Sequence, residues 1–147
     1  MKTKKILVVD DNQDDLMFTT KAFRKLNFNE ELMVANDGVE PLEYLFGNNG
    51  NSGCAPEGLP SLVLLDLKMP KINGLEVLRK IRAVEKTKQV PVVMFTSSNE
   101  EKDIIASRKL GANKFIQKPL NIHDFNKVIA QIIFCFNLQP NSANGEI

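Results

Sequence analysis

The chain has 147 residues, 43% of them hydrophobic and 25% charged, which is the size and balance of one globular domain with a buried core. Its net charge of +1 gives no global electrostatic case for nucleic-acid or membrane-surface binding, and no apolar run approaches the roughly 18 residues of a membrane span. The apolar run behind the lysine-rich start (Lys2, Lys4, Lys5) is only Ile6 to Val9, too short for a secretion signal, so those lysines read as a solvated leader and the chain is expected to be cytoplasmic.

In chain order, a strand over 5–10 runs into Asp10-Asp11 and is followed by a helix over 13–27, with Leu16, Phe23 and Leu26 or Met17 on its buried side. Asp14 and Asp15 are expected to serve that helix's N-terminus and solubility. A strand over 31–36 precedes a helix over 38–46 carrying Leu42, Leu45 and Phe46. The segment 47–60, rich in Gly, Asn and Pro, reads as an exposed loop insertion. A strand over 61–66 ends in Asp66, and Leu75, Leu78 and Ile81 give helical spacing over 74–86. A strand over 91–96 ends in Thr96, and the helix over 99–110 is closed by Gly111. A strand over 113–117 runs into Lys118-Pro119, and the last helix covers 121–136. The tail 137–147 has no apolar period and is expected to be flexible.

Near-continuous apolar strands alternating with amphipathic helices predict a single α/β unit over 1–136. Its five-stranded parallel sheet is covered on both faces by right-handed (βα)5 crossovers. Cys54 and Cys135 stand without metal-ligand spacing and are expected to stay free. His123 falls in the first turn of the last helix and is expected to be exposed and without a role.

Ligands of an open parallel sheet bind beyond the carboxyl ends of the strands. Three carboxylates, one hydroxyl and one ammonium are therefore expected at one place. Asp10, Asp11 and Asp66 together repel, and such a cluster either raises a pKa or recruits a hard divalent cation. Oxygen-only ligands favour Mg2+ over zinc. A carboxylate can itself be a nucleophile and form an aspartyl-phosphate. The phosphoryl oxygens then need donors such as Lys118 and Thr96. Of the three acids, Asp66 is the expected nucleophile, because it ends the most apolar strand and the turn Leu67-Lys68-Met69-Pro70 presents it at the rim. Read alone, Asp10-Asp11 could be a strand terminus before a helix, and Thr96-Ser97 a helix cap.

The ordered set Val9-Asp10-Asp11-Asn12, Leu65-Asp66-Leu67-Lys68-Met69-Pro70 with Gly74, Phe95-Thr96-Ser97-Ser98 and Lys118-Pro119 resembles the receiver domain of two-component response regulators over about residues 4–136. The resemblance implies a flavodoxin-like strand order 2-1-3-4-5 and a phosphoacceptor switch with Asp66 as acceptor. It implies Mg2+ held by Asp11, Asp66 and the Lys68 carbonyl, with Asp10 acting through a coordinated water. It further implies that Lys118 binds the phosphoryl group through a cis Lys118–Pro119 bond, and that Thr96 and Phe115 move as the switch. Phe115 stands where many relatives carry Tyr, so it offers no hydroxyl to a partner. The loop 47–60 and the short stretch after the last helix resemble single-domain regulators partnered with bacterial phytochromes. Such proteins are not enzymes beyond assisting their own phosphorylation and dephosphorylation, and they receive the group from a histidine kinase or phosphotransfer protein.

Two rival readings stand beside it. A Mg2+-dependent phosphohydrolase usually wants a second acid two residues after its nucleophile, where this chain has Lys68. A degenerate receiver would be a docking module only. With 11 residues after Phe136, no DNA-binding segment is expected, so output falls to protein–protein contact or onward phosphotransfer. The run Ile132-Ile133-Phe134-Cys135-Phe136 is apolar on every side of its helix. The core stripe takes Phe125, Val128, Ile129, Ile132 and Phe136, leaving Phe134 and Ile133 outward. That predicts an interaction face on the last two helices and final strand, for a symmetric homodimer or a docking partner, unless the tail covers it.

Overall fold

A computed structural model describes residues 5–28, 32–47, 53–54, 58–119, 121–136 and 138. Its order is β1 (Ile6–Val9), α1 (Gln13–Lys25), β2 (Leu32–Ala35), α2 (Val39–Phe46), β3 (Leu62–Leu65), α3 (Gly74–Ala83), β4 (Val92–Thr96), α4 (Glu101–Lys109), β5 (Lys114–Gln117) and α5 (Ile122–Cys135). All four pairings are parallel, and the sheet order is β2-β1-β3-β4-β5. The predicted α/β class, element sequence and strand order are those of the structure.

The alternation of side chains along a strand splits the core in two. Ile6, Val8, Leu62, Leu64, Val93 and Phe95 pack on one face against Phe23 of α1 and Phe125, Ile129 and Ile132 of α5. Leu7, Val9, Val63, Leu65, Val92 and Met94 pack on the other face against Leu45 of α2 and Val77, Leu78 and Ile81 of α3. Four-residue strands with every side chain buried, as in β1 and β3, are what a sheet covered on both faces requires. At the edge, β2 departs from this, with Val34 49% exposed.

Several boundaries moved inward, and each has a local cause. α1 stops at Lys25 because Asn27 takes a left-handed backbone (φ 69°), which asparagine tolerates. α3 ends at Ala83 rather than 86, where the Thr87 hydroxyl donates to the Ile81 carbonyl at 2.7 Å and competes with the helix. Gly111 (φ 97°) follows the cap of α4 as the sequence predicts. Cys54 and Cys135 are free, and His123 is exposed. In the loop insertion, residues 48–52 and 55–57 lie outside the described residues, as does most of the tail. Leu138 is buried and its N–H donates to the Ile133 carbonyl at 3.0 Å.

Candidate functional site

β1 and β3 lie side by side, and their carboxyl ends carry the acids. The Asp66 N–H donates to the Val9 carbonyl (2.9 Å) and the Asp10 N–H to the Ala35 carbonyl (3.0 Å), so the ladder places both residues beyond the last strand pairs. Asp10 and Asp66 are buried, Asp11 is exposed, and one carboxylate oxygen from each lies within 4.8 Å of the others. Asp10 Oδ1 accepts from the Asn12 N–H (3.0 Å), and Asp66 Oδ1 from the Leu67 N–H (2.8 Å). The turn after Asp66 folds back so tightly that a Cβ at Gly74 would sit 2.1 Å from the Asp66 carbonyl oxygen. Only glycine fits there, and its N–H closes the turn onto the Leu67 carbonyl at 2.7 Å.

Lys118 enters from the neighbouring side. Its N–H donates to the Thr96 carbonyl (2.7 Å), which carries it just past the end of β5. Its buried ammonium lies 2.7 Å from Asp10 Oδ2, 3.0 Å from Asp15 Oδ2 and 3.6 Å from Asp66 Oδ2. Burial dominates at Asp10 and pushes its pKa up to about 6 against the pull of Lys118, with the Asp66 charge adding to the rise. Burial also works against the charged lysine, yet the three carboxylates outweigh it and hold its pKa above the ordinary lysine value. The asymmetry follows from numbers of partners: one ammonium serves three acids.

The far wall is the β4–α4 connection. Thr96 is buried, and its Oγ1 accepts from the Ser98 N–H (3.3 Å). The Ser98 hydroxyl donates to Asp103 Oδ2 on α4 (2.7 Å). Thr96, Ser98, Lys68 and Asp66 line one cleft of about 210 Å3, with the Lys68 side chain exposed at its rim. Neither Thr96 nor Ser97 caps α4, whose N-cap Glu100 makes no side-chain cap bond. Half-buried Phe115 faces a separate cavity of about 590 Å3 between α4, β5 and α5.

One expectation is corrected. No peptide bond among the described residues is cis, so Lys118–Pro119 is trans. Trans is favoured by about 0.5–1 kcal/mol before proline, and in this backbone Lys118 already reaches its carboxylates. A second reading is also revised: Phe134, 86% exposed, lines a groove of about 430 Å3 with Leu26, Ala130, Ile133 and Leu138. That is the α1 side of α5, away from β5, because Gln131, Ile132 and Cys135 occupy the α4 side.

The sequence missed two residues at this site. Asp15 was assigned to the helix terminus, and Asp103 to nothing. A signal for Asp15 existed: Asn12 caps α1 by accepting from the Asp15 N–H (2.9 Å), which fixes the acid in the first turn beside Asp10. For Asp103 there was none, since its partner Ser98 lies in an irregular loop.

Three carboxylates with no nitrogen or sulfur donor suit a hard divalent cation. Among the described residues Lys118 is the one cation paired with this cluster, reaching Asp10 and Asp66, so the three carboxylates hold more negative charge than it alone neutralises. The residues fit such an ion.

Comparison with known proteins agrees with this arrangement. The chain matches the response regulator receiver domain over residues 6–130. It is 34% identical over 129 residues to the response regulator Rcp1 of Synechocystis sp., covering 88% of this chain and 86% of Rcp1. The Mn2+-bound structure of Rcp1 superposes with a TM-score of 0.78 over 95% of this chain and 97% of that one, at 33% identity. The phosphorylated cyanobacterial phytochrome response regulator RcpA gives 0.77 over 92% and 94%, at 30% identity. The bacteriophytochrome response regulator AtBRR gives 0.70 over 99% and 100%, at 37% identity.

Proposed function

This chain belongs to the response regulator receiver domain family of two-component phosphoacceptor switches, and from that premise we propose that Asp66 is the residue that takes the phosphoryl group. The observation that carries the reading is the Lys118 ammonium, buried 3.6 Å from Asp66 Oδ2 at the edge of a three-carboxylate cluster. An isolated structural ion pair has no need of two further acids around one lysine.

In this reading an Asp66 carboxylate oxygen attacks phosphorus on a phosphohistidine of a histidine kinase or phosphotransfer protein. The Oδ–P bond forms, the N–P bond breaks, and the imidazole nitrogen leaves with the electron pair. Lys118 donates to a phosphoryl oxygen, and the Thr96 hydroxyl turns from its contact with the Ser98 N–H to donate to another. Asp11, Asp66 and the Lys68 carbonyl would hold Mg2+, with Asp10 acting through a coordinated water, and the ion would supply positive charge to offset that of the phosphoryl oxygens. Asp66's bond from the Leu67 N–H orients the attacking carboxylate.

Occupancy biases a pre-existing equilibrium. Thr96 withdraws towards the acceptor, and Phe115 follows into the cavity beside it. Output passes by protein contact through α4, β5 and α5, beside the cavity that Phe115 lines and apart from the Phe134 groove, to a second copy or a docking partner, and the switching unit spans residues 1–136. Within the described residues no helix is long and apolar enough to cross a membrane, and a cytoplasmic site beside the kinase suits this role. The net charge of +1 gives no support to a nucleic-acid or membrane partner. A phosphohydrolase is disfavoured because Lys68, not an acid, follows the acceptor by two residues and points to solvent.

Intact mass after incubation with a small phosphodonor and Mg2+ tests the assignment. Wild type is expected to gain one base-labile phosphoryl adduct that requires Mg2+, and Asp66→Asn none. An unchanged adduct on Asp66→Asn would move the acceptor elsewhere.

A further inference from the structure

Lys118 is shared by more acids than its proposed work requires. Two carboxylates, Asp10 at 2.7 Å and Asp15 at 3.0 Å, hold its ammonium at hydrogen-bond distance, while Asp66 stands outside that distance at 3.6 Å. Asp15 comes from the first turn of α1, 103 residues before Lys118 in the chain. Its side chain is 26% exposed, against 5% for Lys118 and 4% for Asp10. It also stands outside the cluster of Asp10, Asp11 and Asp66. Its backbone N–H is already spent on the Asn12 cap, so the position of its Cα is fixed independently of its charge.

We propose that Asp15 is a positioning residue that acts through Lys118: it competes with the phosphoryl group for the lysine and so lowers the occupancy of the phosphorylated state. The inference rests on the reading of Asp66 as acceptor. Two effects set this competition. An ammonium carries three protons, and Asp10 and Asp15 take two of them along fixed directions. The third proton is left for a phosphoryl oxygen, but drawing the nitrogen towards one on Asp66, whose Oδ2 stands at 3.6 Å, weakens its bond to Asp15, the more exposed of its two bonded partners. Phosphorylation also makes the Asp66 position more negative, and a carboxylate bonded to the same ammonium repels that added charge. Both effects disfavour the phosphorylated state. Asp15 is a brake on the switch, set by one carboxylate that approaches from α1 while the acceptor approaches from β3.

The test uses the full chain and beryllium fluoride, which binds a carboxylate as a tetrahedral phosphoryl mimic, titrated calorimetrically at saturating Mg2+. Asp15→Asn keeps size and hydrogen-bonding shape and removes the charge; Asp15→Glu keeps the charge. The expected result is about two- to fivefold tighter binding by Asp15→Asn, the upper part of the range for one partly exposed charge pair. Asp15→Glu is expected to remain near wild type, and the gain of Asp15→Asn to shrink as salt is raised. A merely structural acid would lower the melting temperature without tightening the mimic. Equal or weaker binding by Asp15→Asn, or a gain shared by Asp15→Glu, overturns the inference while leaving the acceptor assignment intact. Should wild type itself show no Mg2+-dependent binding, both fall together.

Discussion

α4 and α5 flank the same short strand, β5, yet they are held by opposite means. α5 buries Phe125, Ile129 and Ile132 at no more than 3% exposure, and Phe125 meets Phe18 of α1 and Phe95 of β4 edge to face. Each such side chain contributes about 1.5–3 kcal/mol of burial. α4 buries only Asp103 and Ser107, two polar residues, and leaves Ile105 45% exposed. The Ser107 hydroxyl finds no hydrogen-bond partner among the described residues and lines the cavity between the two helices. A helix without apolar anchors moves at low cost, whereas one with three does not. The candidate site divides along the same line: Asp10, Asp15 and Lys118 stand on the α1–α5 flank, Thr96 and Ser98 on the α4 flank.

The difference can be broken at its strong end first. Ile129→Ala is expected to cost about 3 kcal/mol in urea unfolding, since the residue is fully enclosed in the core. A cost below about 1 kcal/mol there would mean that α5 is no better anchored than α4.

The site's own flank is sharpened by pH. Asp10 has a folded pKa of about 6, above its ordinary 3.8, so the metal-free folded chain binds this proton more tightly than the unfolded one. Stability of the metal-free protein from this group therefore falls as pH rises from about 4 to about 6. Lys118, raised in the folded state, contributes stability that is complete below 10.5 and is lost as pH climbs past its folded pKa. A divalent cation competes with the Asp10 proton, so Mg2+ affinity is expected to fall about tenfold per pH unit below about 6. Calorimetry at several pH values reads this directly. A flat profile between pH 5 and 7 would remove Asp10 from the metal's surroundings.

The weak end follows. Asp103→Ala removes the acceptor of the Ser98 hydroxyl and is expected to cost about 1 kcal/mol, with faster amide exchange in α4 and little change in α5. Loss of protection spread equally over both helices would argue that they open together. Ile105→Ala is the smallest change: within about 0.5 kcal/mol of wild type, as for any half-exposed surface side chain.

The legibility of these regions differs for a physical reason. The alternation of apolar strands and helices was readable because each element must bury a stripe, and the stripe has a period. Element ends were read less well, as at α3, where one threonine hydroxyl competes with the helix. The acids, Thr96 and Lys118 were readable as a set because parallel strands bring their carboxyl ends to one edge. Phe134 was read correctly as outward, but its side of α5 depends on which face docks against α1. Asp15 was read only in part: it stands in the first turn of α1 as expected, but that local explanation hides its pairing with the remote Lys118. The cis bond before Pro119 came from resemblance alone, and the backbone here is trans.

By itself the sequence determined the element types, the core faces and the chemical inventory of the site, because those follow from local periodicity and from residues that end strands. Tertiary structure decided which carboxylates share Lys118 and at what distance, which helix is anchored, and how far Asp10 is pushed from its ordinary pKa. Those quantities depend on residues up to 103 positions apart meeting in a buried, low-dielectric edge of the sheet, and no local pattern carries that distance.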